Sequence, residues 1–355
     1  ITIAQEPDSA KYTGMPLSAI EADVADFVLA PEKIAQRLPQ LIPELFQEKE
    51  ILDQQALSEL LNILNQHCNV DFSGYKLGTL VRRIRRRILA TGQSDLSSYL
   101  AWVKENAQEL DLLSRDMLIS VTAFFRDKEA FRALQDIAEA ICHTKSPSEE
   151  IRIWVAGCAS GEEAYSVAIV LTEALKDRAG TQPIQIFATD IDDDALNVAR
   201  RGVYPAAALE ALPDILKEKY FHPIQQNLEV NKRLRDMIIF ARHNLVDDPP
   251  FLRLDLVACR NVLIYFDNAL QSRVLQRFHF ALSDPGFLFL GRSESVSHAE
   301  QLFNPINRKE RLFRKTGLSS SMLSSLPTKP HPALTKHSKR EDPNLLILQG
   351  LVSHL

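Results

Sequence analysis

The sequence predicts an α/β protein in which a Rossmann-like, doubly wound parallel sheet follows an all-helical region and carries a small inserted β-rich lobe. Three observations predict it. In residues 151–168, IRIWVAGCASGEEAYSVA, Ile151, Ile153 and Val155 alternate with Arg152 and Trp154 before Gly157 and Gly161, the pattern of a buried strand, a tight turn and a helix start. Residues 184–189 read as a second strand, ending in TDID with Asp190 at its tip. Residues 41–134 read as short amphipathic helices, with Leu57, Leu60, Leu61 and Leu64 on one face.

Composition narrows the class. A chain of 355 residues, 45% hydrophobic and 25% charged, can bury a large core and divides into about two domains with tails. A formal charge of −5 argues against coating nucleic acid, although a local basic patch can dock an acidic partner. Cys68, Cys142, Cys158 and Cys259 show no paired metal-ligand spacing, so no metal site is expected, and Cys158 and Cys259 read as small buried residues at strand ends. With no signal peptide and no long apolar run, the expected setting is the cytoplasm, without membrane insertion.

Taken in order, residues 1–40 hold a strand-like opening, the turn YTGMP and the run DFVL, and read as the end of another unit. Residues 41–144 form the helical domain. Within it Leu77, Val81, Ile84 and Ile88 make an apolar stripe at helical spacing, which turns Arg82, Arg83, Arg86 and Arg87 outward beside Lys76 and Arg85. That cationic face is either a solvated surface or a docking site for an acidic partner; nucleic acid is disfavoured because no aromatic residues interleave with the arginines. In ISVTAFFRD, residues 119–127, Thr122 and Arg126 share a face if helical and Phe124 and Phe125 supply an apolar wall; alternatively Arg126 pairs with Asp127 or Glu129. The polar run KSPSEE then separates the helical domain from the sheet.

The turn after the first strand carries Glu162 and Glu163, where a phosphate-binding loop would avoid negative charge. The ligand it suits is cationic or zwitterionic, and an adenosyl sulfonium amino acid fits; a purely structural turn is the alternative. Asp190 stands where doubly wound folds hold a ribose diol, whereas Asp192 suits a helix cap. Residues 205–242 read as the inserted lobe, with short strands at 227–230 and 237–240. Residues 254–258 are a buried strand with Cys259, Arg260 and Asn261 at its ligand-binding end. Asp248, Pro249, Pro250 and Phe251 mimic the motif with which amino-group methyltransferases hold a target nitrogen, but they precede the strand instead of following it and read as a turn. Residues 285–290 and 312–314 close the sheet as an antiparallel pair, and from residue 318 a polar linker leads to the apolar run NLLILQGLVSHL, read as the start of a helix.

With ISVTAFFRD, WVAGCASGEEAYS, FATDID, ARHNL and CRNVLIYF in that order, the region from about residue 56 to 315 resembles the CheR family of chemotaxis receptor glutamate methyltransferases. The resemblance implies domains at 41–144 and 145–317, with the lobe at about 205–242 inside the second and a linker and tail at 318–355. It implies S-adenosyl-L-methionine as cofactor, S-adenosyl-L-homocysteine as product, and methyl-ester formation on glutamates of chemoreceptor cytoplasmic helices. Carried over by motif, Ser120, Thr122, Arg126, Gly157, Glu162 or Glu163, Asp190, Asn244, Leu245, Arg260 and Asn261 line the cofactor site. Two departures stand out: Ser120 replaces an expected asparagine, and the lobe lacks the glycine-rich turn of members that grip a receptor tail. Residues 2–35 resemble the C-terminal edge of the chemotaxis methylesterases, which implies a fused methylesterase domain upstream; no esterase nucleophile lies in them.

The implied reaction needs no general base, because a glutamate of ordinary pKa, about 4.3, is ionised at neutral pH. Arg126 and Tyr265 are the candidates for holding the substrate carboxylate, with a plain core role the alternative for Tyr265. Two other classes compete. A nicotinamide oxidoreductase would share Asp190 but not the Glu162–Glu163 pair, and a catalytically inactive S-adenosylmethionine-binding receptor adaptor would keep every motif.

Overall fold

The computed structural model of the chain describes residues 2–10, 13–21, 25–36, 54–118, 122–176, 182–210 and 212–317. Ser120, the expected start of the helical domain at 41–53 and the tail from 318 lie outside the described residues. At the N-terminal end, strand β1 (Ile3–Gln5) pairs in parallel with β2 (Phe27–Leu29), and helix α1 (Gly14–Glu21) lies between them in the chain.

Four helices follow: α2 (Gln54–Cys68), α3 (Leu77–Thr91), α4 (Leu96–Glu105) and α5 (Ala107–Met117). Left-handed Gly92 closes α3, and the Asp95 carboxylate caps α4 by accepting from the Ser98 N–H at 2.7 Å. Leu60, Leu64, Leu80, Ile84, Tyr99, Val103 and Leu113 form the core of this unit. The expected stripe on α3 needs correction. Its buried row is Leu80, Ile84 and Ile88, while Leu77 is 50% exposed. That rotation carries Arg83 and Arg87 inward, contrary to the sequence reading, and leaves Arg82 and Arg86 at the surface. Arg83 is 7% exposed, and Arg87 Nε and Nη2 each donate to the Glu109 carboxylate at 2.7 Å. Glu109 also accepts from the buried Tyr99 hydroxyl at 2.7 Å, so α3, α4 and α5 meet on one charge pair.

The sheet domain runs α6 (Lys128–Thr144), β3 (Ile151–Ala156), α7 (Glu162–Leu175), β4 (Ile184–Asp190), α8 (Asp193–Arg201), β5 (Val203–Pro205), α9 (Asp214–Tyr220), β6 (Phe221–Ile224), β7 (Asn227–Val230), α10 (Lys232–Asp236), β8 (Ile238–Arg242), β9 (Leu254–Cys259), α11 (Asn268–Ala281), β10 (Leu282–Leu290), β11 (Phe303–Asn307) and β12 (Leu312–Lys315). Seven strands form the central sheet in the order β11-β12-β10-β9-β3-β4-β8, with β12 antiparallel to both neighbours and the rest parallel. The chain builds outward from β3 to β4 and β8, then returns to β9 on the other side. The topological switch therefore lies between β3 and β9, and open α/β sheets bind ligands beyond such a point.

Alternation along the strands divides the core. Ile151, Ile153 and Val155 of β3 face α6 and α7, while Trp154 and Ala156 face α11. The Trp154 indole N–H donates to Thr189 Oγ1 at 2.9 Å, so this large ring is buried without an unmet donor. Phe251 stacks on Phe187 with centroids 4.5 Å apart, so the Asp248–Phe251 stretch packs its aromatic into the sheet as turn and core.

Two strands differ from the sequence reading. Ile238–Arg242, placed within the inserted lobe, is the edge strand of the central sheet and pairs with β4. The lobe's own sheet is β5-β7-β6, ending at Val230, and its β6–β7 turn holds Gln225 at φ 54°, a conformation that favours glycine or asparagine. Phe303–Asn307 was not anticipated; its alternation is interrupted by Pro305, which an edge strand tolerates.

Candidate functional site

The cleft at the switch point is built by the ends of β3, β4 and β9 and holds about 1060 Å³ of open space. After β3 the chain turns at Gly157, φ 74°, where a Cβ would stand 2.3 Å from Val262 Cγ2. Only glycine lets the β3 and β9 loops approach so closely. Gly161, φ 97°, then starts α7, and a Cβ there would meet Ala199 Cβ at 2.8 Å. The turn is tied to β4: the N–H groups of Gly157 and Cys158 donate to the Thr189 carbonyl, and the Ala159 N–H donates to Asp190 Oδ2 at 2.8 Å.

Asp190 also accepts from the N–H groups of Ile191 and Asp192, at 2.7 and 3.0 Å. Burial nevertheless pushes its carboxyl above the usual range, against these three amides. Of the glutamate pair, Glu163 lines the cleft and Glu162 does not; the latter accepts from the Ser160 hydroxyl at 2.7 Å. The reason is position in the first turn of α7, where consecutive residues point about 100° apart. Glu163 is held by Arg260, whose Nη1 donates to it at 3.1 Å while Nη2 donates to Asp127 at 2.7 Å. The Arg260 guanidinium lies over the rings of both Phe131 and Phe289, 5.2 and 4.7 Å from their centroids, with its side chain fully enclosed. Burial raises the Glu163 carboxyl against the pull of Arg260.

Thr122, Arg126, Gly157, Glu163, Asp190, Asn244, Leu245, Arg260, Asn261 and Tyr265 all line this one cleft. The structure thus brings together the expected residues from five separate stretches, apart from Glu162 and the undescribed Ser120. Arg126 sits between two residues of left-handed conformation, Phe125 at φ 51° and Asp127 at φ 64°, and the Phe125 N–H donates to Ser166 Oγ at 2.9 Å. Asn244 organises its own turn: its Oδ1 accepts from the Val246 N–H at 2.9 Å. Tyr265 is half-buried, and burial raises its hydroxyl despite the nearby charges of Arg83, Arg126 and Arg82. It is a proton donor, not a base. Among the described residues no group of histidine, cysteine and carboxylate side chains is arranged to hold a metal.

Two contributors were missed in the sequence. Glu294, buried in the polar-looking run GRSES, accepts from the N–H groups of Val262 and Leu263 at 2.9 and 2.8 Å and of Gly291 at 2.6 Å. It anchors the loop carrying Arg260 and Asn261, the latter at φ 61°. Tyr75, from the α2–α3 connection, also lines the cleft. Neither residue has a local signal: each is recruited by a partner far away in the chain.

Switch-point geometry and a cleft lined by both carboxylates and guanidinium groups define a doubly wound α/β domain with a ligand site suited to a zwitterion. Residues 120–312 match the CheR methyltransferase SAM-binding domain, residues 55–118 the CheR methyltransferase all-alpha domain, and residues 1–38 the CheB methylesterase family. The chain belongs to the CheR methyltransferase family. It is 34% identical to a 104.1 kDa protein of Rhodobacter capsulatus over 95% of this chain, and spans 39% of that protein's length. It is 32% identical to the chemotaxis protein methyltransferase of Borreliella burgdorferi, covering 69% of this chain and 89% of the relative. The chemotaxis protein methyltransferase 2 of Pseudomonas aeruginosa is 34% identical over 64% of this chain and 81% of its own length.

The cofactor of this family, S-adenosylmethionine, fits the donor set present: buried carboxylates for an ammonium and a ribose diol, and apolar Leu118, Leu245 and Val246 for the remainder.

Proposed function

We propose that the chain transfers a methyl group from S-adenosylmethionine to glutamate side-chain carboxylates of chemoreceptors, forming methyl esters. The observation that carries this is the make-up of one cleft: the carboxylates of Asp190 and Glu163 line it together with two donors, Arg126 and the protonated Tyr265. Bound there, the cofactor supplies an electrophilic methyl on a positively charged sulfur. Asp190 would accept from the ribose hydroxyls, and Glu163, fixed by Arg260, would face the ammonium. Arg126 and Tyr265 would orient the substrate carboxylate. No residue need remove a proton, because the nucleophile is already ionised. Rigid placement by the Gly157 turn and the Glu294-anchored loop favours an in-line approach, and enclosure by apolar walls strengthens each charge interaction.

The receptor-facing part of this reading rests on α3. Methylated receptor helices are expected to be acidic, and the surface row of Arg82 and Arg86, with Arg85 beside it, offers complementary charge; Arg83 and Arg87 are committed to the interior. Arg82 lies 3.9 Å from Asp26 of the methylesterase-like segment. Among the described residues no helix is long and apolar enough to cross a membrane. The test is transfer of radiolabelled methyl from the cofactor to receptor-containing membranes, followed by base treatment. Label released as methanol supports an ester. Cofactor binding without transfer supports a receptor adaptor instead. Replacing Arg82 and Arg86 with glutamate should slow transfer at low salt with cofactor affinity intact, and an unchanged rate would assign the row to solvent.

A further inference from the structure

The helical unit and the sheet domain are clipped together at the edge of the cleft. The Asp267 N–H donates to the Gly74 carbonyl at 2.9 Å, and the Lys76 N–H donates to the Tyr265 carbonyl at 2.8 Å. Tyr75 lies between these bonds, bridged to Phe266, with its ring edge-on to Phe72 and Phe266 at 5.0 and 5.1 Å. It packs against the apolar cores of both units. Among the described residues the helical unit lines the cleft with Tyr75, Met117 and Leu118, and of these Tyr75 carries a polar side-chain group, its hydroxyl. Burial and the charge of Asp190 both keep that phenol protonated, hence a donor. A ribose diol both donates and accepts. Asp190 can take its protons but cannot donate to its oxygens.

We infer that Tyr75 is a cofactor-binding residue, donating a hydrogen bond to the adenosine half of S-adenosylmethionine and thereby completing the sheet domain's site from the helical unit. This rests on reading the cleft as the cofactor site. Ile191, next to Asp190 in the chain, packs against the same helical core as Tyr75, and the charge of Asp190 acts on the phenol, which places the contact at the adenosine end.

Calorimetry on the whole chain tests it with two probes, S-adenosylhomocysteine and 5′-methylthioadenosine, which lacks the amino-acid arm. Tyr75→Phe keeps the ring and its packing, so the melting temperature should hold while both probes bind about fivefold more weakly, the usual effect of losing one neutral hydrogen bond. Wild-type affinity in Tyr75→Phe overturns the inference. A loss for S-adenosylhomocysteine alone also overturns it, because the phenol would then serve the amino-acid arm. If the parental chain binds neither probe, the reading of the cleft fails first and takes this inference with it.

Discussion

Glu294 is more than nine-tenths buried and spends its carboxylate on three backbone N–H groups of the loop that presents Arg260 and Asn261. In Glu294→Gln one acceptor oxygen becomes an amide NH2, a donor that faces N–H donors, which leaves buried groups unmet at a cost on the order of 1–3 kcal/mol. The expected result is a lower melting temperature and cofactor affinity reduced roughly tenfold; calorimetry and thermal unfolding check both. Tyr265→Phe removes only a donor toward the substrate, so methyl transfer should slow roughly ten- to a hundredfold, matching a hydrogen bond to a charged group of about 1.5–3 kcal/mol, with cofactor affinity unchanged. Equal losses in steady-state transfer and in binding would make Tyr265 structural. At this scale Asp190 and Gly157 were legible because strand ends and tight turns leave local marks. Glu294 was not, since an acidic residue among serines reads as solvated surface until the distant loop it binds is placed beside it.

Helix α3 shows what spacing can and cannot reveal. Its periodicity announced a helix, but Ile84 and Ile88 could be joined either by Leu77 and Val81 or by Leu80, and the side that turns inward is fixed in part by Glu109, 22 residues on from Arg87 in α5. Arg87→Ala leaves that carboxylate, 2% exposed, without its guanidinium while the Tyr99 hydroxyl still donates to it, and should destabilise the fold by about 3–5 kcal/mol. Arg86→Ala, half-exposed and 4.0 Å from Asp116, should change stability by less than about 1 kcal/mol. Urea denaturation separates the two. The strand Ile238–Arg242 was legible as a strand but not as part of the central sheet, because an edge strand beside a small lobe carries no mark of which sheet it joins.

For the whole molecule, pH acts through the cleft. Burial raises both Asp190 and Glu163, so the folded protein without cofactor holds their protons more tightly than the unfolded chain does. Their contribution therefore favours folding at low pH and is lost as pH rises through the raised values, while the proposed contacts to the cofactor use the ionised forms. Cofactor affinity should fall on acidification at a pH above the ordinary carboxylate range of about 4, and the thermal shift produced by cofactor should grow toward neutrality. Titration calorimetry across this range checks it; a flat profile would remove both carboxyls from the site. The parallel sheet and its switch point were legible from strand–turn–helix order, whereas the clip that seats the helical unit was not, being made of backbone groups that any residue supplies. Arg260 carries one more consequence. Its partners lie 97 and 133 residues earlier in the chain, and its side chain is wholly enclosed, with the guanidinium over two rings that touch each other. Without the segment that carries Asp127 and Phe131, the guanidinium would lose one of its two carboxylates and part of the apolar wall over it. One residue thus ties the shape of the pocket to the seating of that segment on the sheet: a change that loosens α6 reaches the cleft through Arg260 and Glu163.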